Sequence, residues 1–176
     1  NVLPQPGSLL VVCGKGNKGG DGFVIARAAA KEGWNVTALL AEGEPKTTDA
    51  ITNFERLHSL SVNICADCTV LETQHFDVVV DALYGTGFHG ALRPSGLAAC
   101  GLMNRLHKSG AFVLAVDLPS GINTDTGEVA EGAAHADLTV TFDSYKPLHV
   151  AESSAPLCGK IVCSDIGIRD EWHPEF

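Results

Sequence analysis

Positive charge is scarce in this chain: 12 lysines and arginines stand against 21 aspartates and glutamates, a formal net charge of −9. The cations are also scattered, with no run of Lys or Arg anywhere along the 176 residues. Nucleic-acid binding needs a clustered basic face against phosphates, so no nucleic-acid partner is expected. A basic patch for an anionic membrane surface is excluded on the same ground. Long apolar runs are missing as well. None approaches the roughly 20 residues that a membrane-spanning helix requires, so no membrane partner is expected either. The N-terminus, which opens on Asn1, shows no charged-then-apolar leader of the secretory kind. Internal repeats, linkers and low-complexity stretches are absent, which argues for one domain over residues 1–176. Zinc-type cysteine spacing is lacking too. Cys65-Ala66-Asp67-Cys68 is a lone CxxC without a second ligand pair, so it reads as two reduced thiols in a connecting loop. Cys13, Cys100 and Cys163 lie in apolar stretches and read as small buried residues. Such cysteine usage fits a reducing, cytoplasmic setting.

What is present is an ordinary globular balance, 45% hydrophobic and 19% charged, with 19 glycines gathered largely into three clusters. Between the clusters the pattern alternates. Short apolar runs at Ser8–Cys13, Asn35–Leu40, Phe76–Asp81 and Ala111–Asp117 predict buried strands. Ser61–Ile64 is a weaker one, and Asp137–Phe142 and Gly159–Asp165 follow late in the chain. Helical spacing predicts helices over Gly19–Glu32, with Phe23, Ala26, Arg27 and Ala30 on one face, and over Thr47–Leu60, with Ile51, Phe54 and Leu57 on one face. A third spans Pro94–Ser109. Gly33 and Gly110 stand where helices stop. Strands alternating with helices imply an α/β fold: a mostly parallel central sheet covered on both faces, a three-layer sandwich.

The three glycine clusters each follow a strand. The first, Gly14-Lys15-Gly16-Asn17-Lys18-Gly19-Gly20-Asp21-Gly22, contains G-x-G-x-x-G between a strand and a helix, the context a dinucleotide fingerprint requires. Glycine lets the backbone approach a phosphate, and the helix N-terminus offers free N–H groups. The bland alternative is a tight turn with Asp21 as a helix cap. The second cluster, Asp81 to Gly90, places Asp81 at a carboxyl strand end, where open α/β sheets put ligands. The third, Asp117 to Gly127, does the same with Asp117. An aspartate at such a place is as readily a loop cap, but three such loops together favour a ligand site across the first, fourth and fifth strand ends. Among the seven histidines only His89 falls in a glycine-rich loop.

At these loops the chain resembles the YjeF N-terminal domain family, the NAD(P)H-hydrate epimerases. The family pattern runs G-x-G-N-N-G-G-D-G, then V-V-D-A-L-x-G-T-G, then D-x-P-S-G-x-x-x-D-T-G. Gly14–Gly22, Val79–Gly87 and Asp117–Gly127 match it in order, and the tail follows with Asp137–Phe142, Lys146-Pro147 and Gly159–Gly167. The resemblance implies a Rossmann-like fold and epimerisation of hydrated NADH or NADPH (NADHX, NADPHX), a metabolite repair reaction. It implies substrate binding by Asn17, Lys18, Gly19, Gly20 and Asp21, by Gly85, Thr86, Gly87, Phe88, His89, Gly90 and Ala91, and by Asp117. It implies a potassium ion held by Asn17, Asp81 and Ser120, a homodimer in many members, and in some a fused dehydratase acting on the product. Two departures stand out: Lys18 replaces the family's second asparagine, and the family's N-terminal helical segment has no counterpart before Asn1.

The chemistry expected of such a site is proton transfer. Asp117, fixed by its strand, is the candidate acid/base, its carboxyl pushed up toward working pH by partial burial. A nucleotide-dependent dehydrogenase, with Glu42 on a ribose hydroxyl, and a non-enzymatic binding module of the same fold are the alternatives.

Overall fold

The short apolar runs become strands because each is flanked by glycine or polar turns and rich in Val, Leu and Ile. In the computed structural model, which describes residues 5–166, they are β1 (Ser8–Cys13), β2 (Asn35–Leu40), β3 (Val62–Cys65), β4 (Val78–Ala82), β5 (Phe112–Val116), β6 (Leu138–Phe142) and β7 (Lys160–Ser164). They form one sheet in the order β3-β2-β1-β4-β5-β6-β7, and each neighbouring pair runs parallel. The helices are α1 (Asn17–Lys31), α2 (Thr48–Glu55), α3 (Pro94–Lys108) and a single turn, α4 (Ala155–Cys158). Gly167, the end of the tail motif, and Asn1 lie outside the described residues.

Side chains of β1 alternate between two cores, as the period of a strand demands. Leu10 and Val12 pack with Cys100, Met103 and Leu106 of α3. Leu9, Val11 and Cys13 pack with Phe23 and Ala26 of α1 and Ala50 of α2. The sheet is therefore sandwiched between helix layers, as expected. A third, smaller cluster joins Leu118, Ile122, Leu148 and Cys158 beyond the carboxyl end of β5. Among the described residues no helix is long and apolar enough to cross a membrane.

Four expectations need correction. α1 starts at Asn17 instead of Gly19, with Gly16 as its N-cap; Asp21 sits inside the helix and caps nothing. α2 stops at Glu55, five residues before the expected Leu60. Its one buried residue is Ala50, Leu57 is buried just beyond its end, and Ile51 is 38% exposed. The cause is close helix packing: a Cβ on Gly20 would lie 3.2 Å from the Ala50 Cα, so α1 and α2 approach on a surface too tight for an isoleucine. Cys163 is half-buried and Cys158 takes the interior place instead. The Cys65–Cys68 segment ends β3 and opens a 3₁₀ turn, its thiols free as expected.

Candidate functional site

β1 and β4 are neighbours, while the chain leaves them in opposite directions, toward β2 and toward β5. That reversal opens a crevice at the carboxyl ends of the strands. The register pairs Cys13 with Ala82, so the first and second glycine loops leave the sheet side by side. Their backbones meet directly, with the Gly14 N–H donating to the Ala82 carbonyl at 3.1 Å. A Cβ on Gly14 would lie 2.0 Å from the Leu83 carbonyl oxygen, and one on Gly19 would lie 1.8 Å from that of Gly14. The glycines thus bring the start of α1, with its unpaired first-turn N–H groups, against the crevice floor.

Asp81 pins the second loop to the third. It is buried, accepts the Ser120 backbone N–H at 2.7 Å and the Ser120 hydroxyl at 2.6 Å, and accepts the Leu83 N–H at 3.2 Å. The Ser120 oxygen in turn accepts the Tyr84 N–H at 3.0 Å. Burial pushes the Asp81 carboxyl up, against the pull of these hydrogen bonds and of Lys18. Tyr84 then reaches across the crevice, donating its hydroxyl to Glu42 at 2.7 Å while its ring stacks on Phe88 with centroids 5.2 Å apart.

Asp117 follows β5 directly and adopts φ 71, the left-handed region that Asp and Asn tolerate better than other side chains. Both of its backbone groups are tied down. Its N–H donates to the Val140 carbonyl at 2.8 Å, and its own carbonyl accepts His149 Nε2 at 2.9 Å. Its Oδ1 accepts the Thr141 hydroxyl at 2.7 Å and the Lys146 ammonium at 2.6 Å. Oδ2 lies 3.9 Å from the Lys18 ammonium, which is also 3.8 Å from Asp21. Burial pushes the Asp117 carboxyl up, but the hydrogen bonds from Lys146 and Thr141 and the charges of Lys18 and Lys146 outweigh it. The carboxyl is held below its ordinary value, so the expectation of a raised one is overturned and Asp117 is a carboxylate at neutral pH.

His149 is neutral by geometry. Its Nδ1 accepts the Lys146 backbone N–H at 3.0 Å, so the proton is on Nε2, where it serves the Asp117 carbonyl. Burial and the Lys146 charge hold the ring below its ordinary value against the pull of Asp117. The folded state therefore binds fewer protons than the unfolded chain as pH falls below about 6.5, and stability contributed by the neutral ring is present above that value and lost as pH drops through the folded pKa. An NMR titration of His149 is expected to show a midpoint below about 6.5, with urea stability declining through it. A midpoint at or above the ordinary value contradicts this arrangement.

The crevice encloses about 640 Å³, within the range of small-molecule sites. Asn17, Lys18, Asp21, Gly85, Thr86, Gly87, Phe88, His89, Ala91 and Asp117 line it, drawn from all three loops. Gly19 and Gly20 are buried and, like Gly90, are not among the residues that line it. Asp81 and Ser120 lie together beneath it, and no hydrogen bond links the exposed Asn17 to either. Sequence reasoning missed Tyr84, Arg93, Thr141, Lys146 and His149. Tyr84 stood inside a quoted motif but carried no spacing signal of its own. Lys146 and His149 reach Asp117 from 29 and 32 residues away, a distance that no local pattern spans.

Fold and crevice together define a doubly wound parallel α/β domain with a glycine-lined cleft at the carboxyl ends of its strands. The family model described as YjeF-related protein N-terminus matches residues 1–148, and the chain belongs to that family. It is 39% identical over 173 residues to the bifunctional NAD(P)H-hydrate repair enzyme Nnr of Methanothermobacter thermautotrophicus, covering 92% of this chain and 32% of that protein. The enzyme of the same name from Pyrobaculum aerophilum is 40% identical over 182 residues, with 97% and 36% covered, and that from Coxiella burnetii 33% over 177 residues, with 96% and 34% covered. The chain thus spans about one third of the length of the curated relatives it matches. The crystal structure of yeast ynu0, YNL200c, superposes with a TM-score of 0.69 at 23% identity, over 85% of this chain and 64% of that one, a likeness of fold.

Proposed function

We propose that this domain interconverts the two epimers of hydrated NADH or NADPH in the crevice. The observation that carries the proposal is the Asp117 carboxylate at the end of β5, held by Lys146 and Thr141 and facing Lys18 on the wall of a cleft that suits a small molecule. The relatives are named as bifunctional repair enzymes acting on NAD(P)H hydrates. This chain corresponds to one third of their length, and epimerisation is the half-reaction that its cleft suits.

The substrate carries a hydroxyl on the carbon next to the ring nitrogen. Once that hydroxyl gains a proton it leaves as water, pushed by the nitrogen, and a planar cation remains. Water adds back to either face and sheds a proton. A carboxylate offsets the charge of the planar cation and accepts the proton from the incoming water, which assigns the base half to Asp117 Oδ2. The acid half falls to the Lys18 ammonium, which lines the crevice. After turnover Asp117 releases its proton to solvent water in the open crevice and Lys18 takes one up from it, so that both groups return to their starting states. The glycines of the first loop and the start of α1 suit the pyrophosphate. Tyr84 and Phe88 offer ring faces to a base or nicotinamide.

The potassium ion that the resemblance implies does not fit the donors present. Both Asp81 oxygens already accept protein hydrogen bonds, and Ser120 Oγ both donates and accepts. Among the described residues no hydrogen bond links Asn17 to Asp81 or Ser120, and the Lys18 ammonium already acts on Asp81 with its positive charge. Turnover is expected to be the same in potassium chloride as in a choline buffer. A rate that climbs with potassium concentration contradicts this reading. The proposed function itself is tested by incubating the protein with each separated epimer and following the other by chromatography. Interconversion well above the spontaneous rate is expected, and a rate equal to the protein-free control overturns the proposal.

A further inference from the structure

Lys146 stands outside the crevice lining, yet it makes the shortest contact to the carboxylate that the reaction depends on. Its ammonium lies 2.6 Å from Asp117 Oδ1, 2.8 Å from the Thr141 hydroxyl oxygen and 3.0 Å from the Phe142 carbonyl oxygen. An ammonium has three N–H donors and no acceptor, so these three oxygens use it completely. Thr141, which accepts from Lys146, donates its own hydroxyl hydrogen bond to the same Oδ1 at 2.7 Å. One residue pair thus saturates one carboxylate oxygen from behind. Oδ2 receives no hydrogen bond from the protein among the described residues, and the Lys18 ammonium on the cleft wall lies 3.9 Å from it.

We infer that Lys146 is the positioning residue of this site: it locks Oδ1 of Asp117 from behind, so that Oδ2 alone is presented to the substrate. The inference rests on the reading of Asp117 as the base of the crevice. The lock is doubled at the backbone. The Lys146 N–H fixes the His149 ring, and that ring donates to the Asp117 carbonyl. The loop after β6 therefore grips Asp117 at its carboxylate and its main chain together, and the grip holds the left-handed backbone of Asp117 in place. The charged and titratable groups that face Asp117 are Lys18 and Asp21 from α1, and Lys146 and His149 from this loop. Of the two ammonium groups, only that of Lys146 is in hydrogen-bond contact. Its removal leaves a buried carboxylate held by the Thr141 hydroxyl alone, with only the more distant Lys18 ammonium to offset its charge.

The test is the pH profile of epimerisation for the wild type, Lys146→Met and Lys146→Arg, with nucleotide affinity measured alongside. Lys146→Met keeps the apolar stem and removes the donor. Its kcat is expected to fall by about 10²-fold, the scale of a misplaced catalytic group. Its KM is expected to change little, and the acid limb of its profile to move to higher pH, because burial of Asp117 is then weakly opposed. Lys146→Arg keeps the charge but replaces three converging donors with a planar fork, so kcat falls while the acid limb stays in place. Wild-type kcat and an unmoved acid limb in Lys146→Met overturn the inference. If the wild type itself fails to epimerise, the functional reading falls, and a carbon-13 titration of the Asp117 carboxyl decides the positioning separately. A midpoint raised in Lys146→Met upholds it and an unchanged midpoint overturns it.

Discussion

Asp117→Asn is expected to lower epimerisation by about 10²–10⁴-fold, the typical worth of general acid/base catalysis, while folding and nucleotide binding survive. Asparagine is the informative replacement because it keeps the size of the side chain and shares aspartate's tolerance of the left-handed backbone, here φ 71. Its carbonyl oxygen still accepts from Lys146 and Thr141. What disappears is the negative charge that offsets the planar cation and accepts the proton of the incoming water. The loss should therefore fall on kcat and on kcat/KM alike, with little change in binding. Full turnover in the variant reduces Asp117 to a structural or ribose-binding group. Binding and turnover lost together assign it to ligand positioning, with Asp21 and Asp81 next in line for the proton chemistry.

Gly19→Ala is expected to cost about 3 kcal/mol of stability, the upper end of what overpacking costs, seen as a fall of about 1–3 M in the urea midpoint. The added Cβ would lie 1.8 Å from the Gly14 carbonyl oxygen and 2.7 Å from its carbon. These are backbone atoms of a loop held between β1 and the second glycine loop, so nothing flexible can give way. Gly16→Ala is the control in the same loop. A Cβ there meets nothing within 4 Å, and the change costs no more than about 1 kcal/mol through the poorer N-cap. Equal stabilities for the two variants contradict the account of how the loops meet. Gly19 thus lets α1 begin hard against the crevice floor, while Asn17 and Lys18 line the crevice itself.

Much of this was readable in advance because it is local. The bounds of β1 and β2 follow from apolar runs with clear stops, and the sequence order of strands and helices dictates parallel crossovers. Asp81 and Asp117 stand at strand ends, and that position alone sends both to the switch-point side of the sheet. What escaped depends on contacts between distant segments. Ile51 faces solvent because Gly20 lets α1 press onto Ala50, a fact about two helices together. For the titration of Asp117, burial is legible in the apolar strand before it, whereas the hydroxyl of Thr141 comes from β6 and the ammonium of Lys146 from the loop after it. The Lys146-Pro147 pair was visible in the sequence as a motif, but its function lies in where the chain places it after another strand has been laid down.

The central claim is that the crevice removes and restores the substrate hydroxyl, with Asp117 taking the proton from the incoming water. The most direct measurement follows one pure epimer of hydrated NADH in water enriched in oxygen-18, with the protein present. The account predicts that the opposite epimer forms far faster than in the protein-free control and carries the label at its hydroxyl, and that Asp117→Asn slows inversion and labelling by the same factor. Inversion without incorporation of the label, or no inversion above the control, contradicts it.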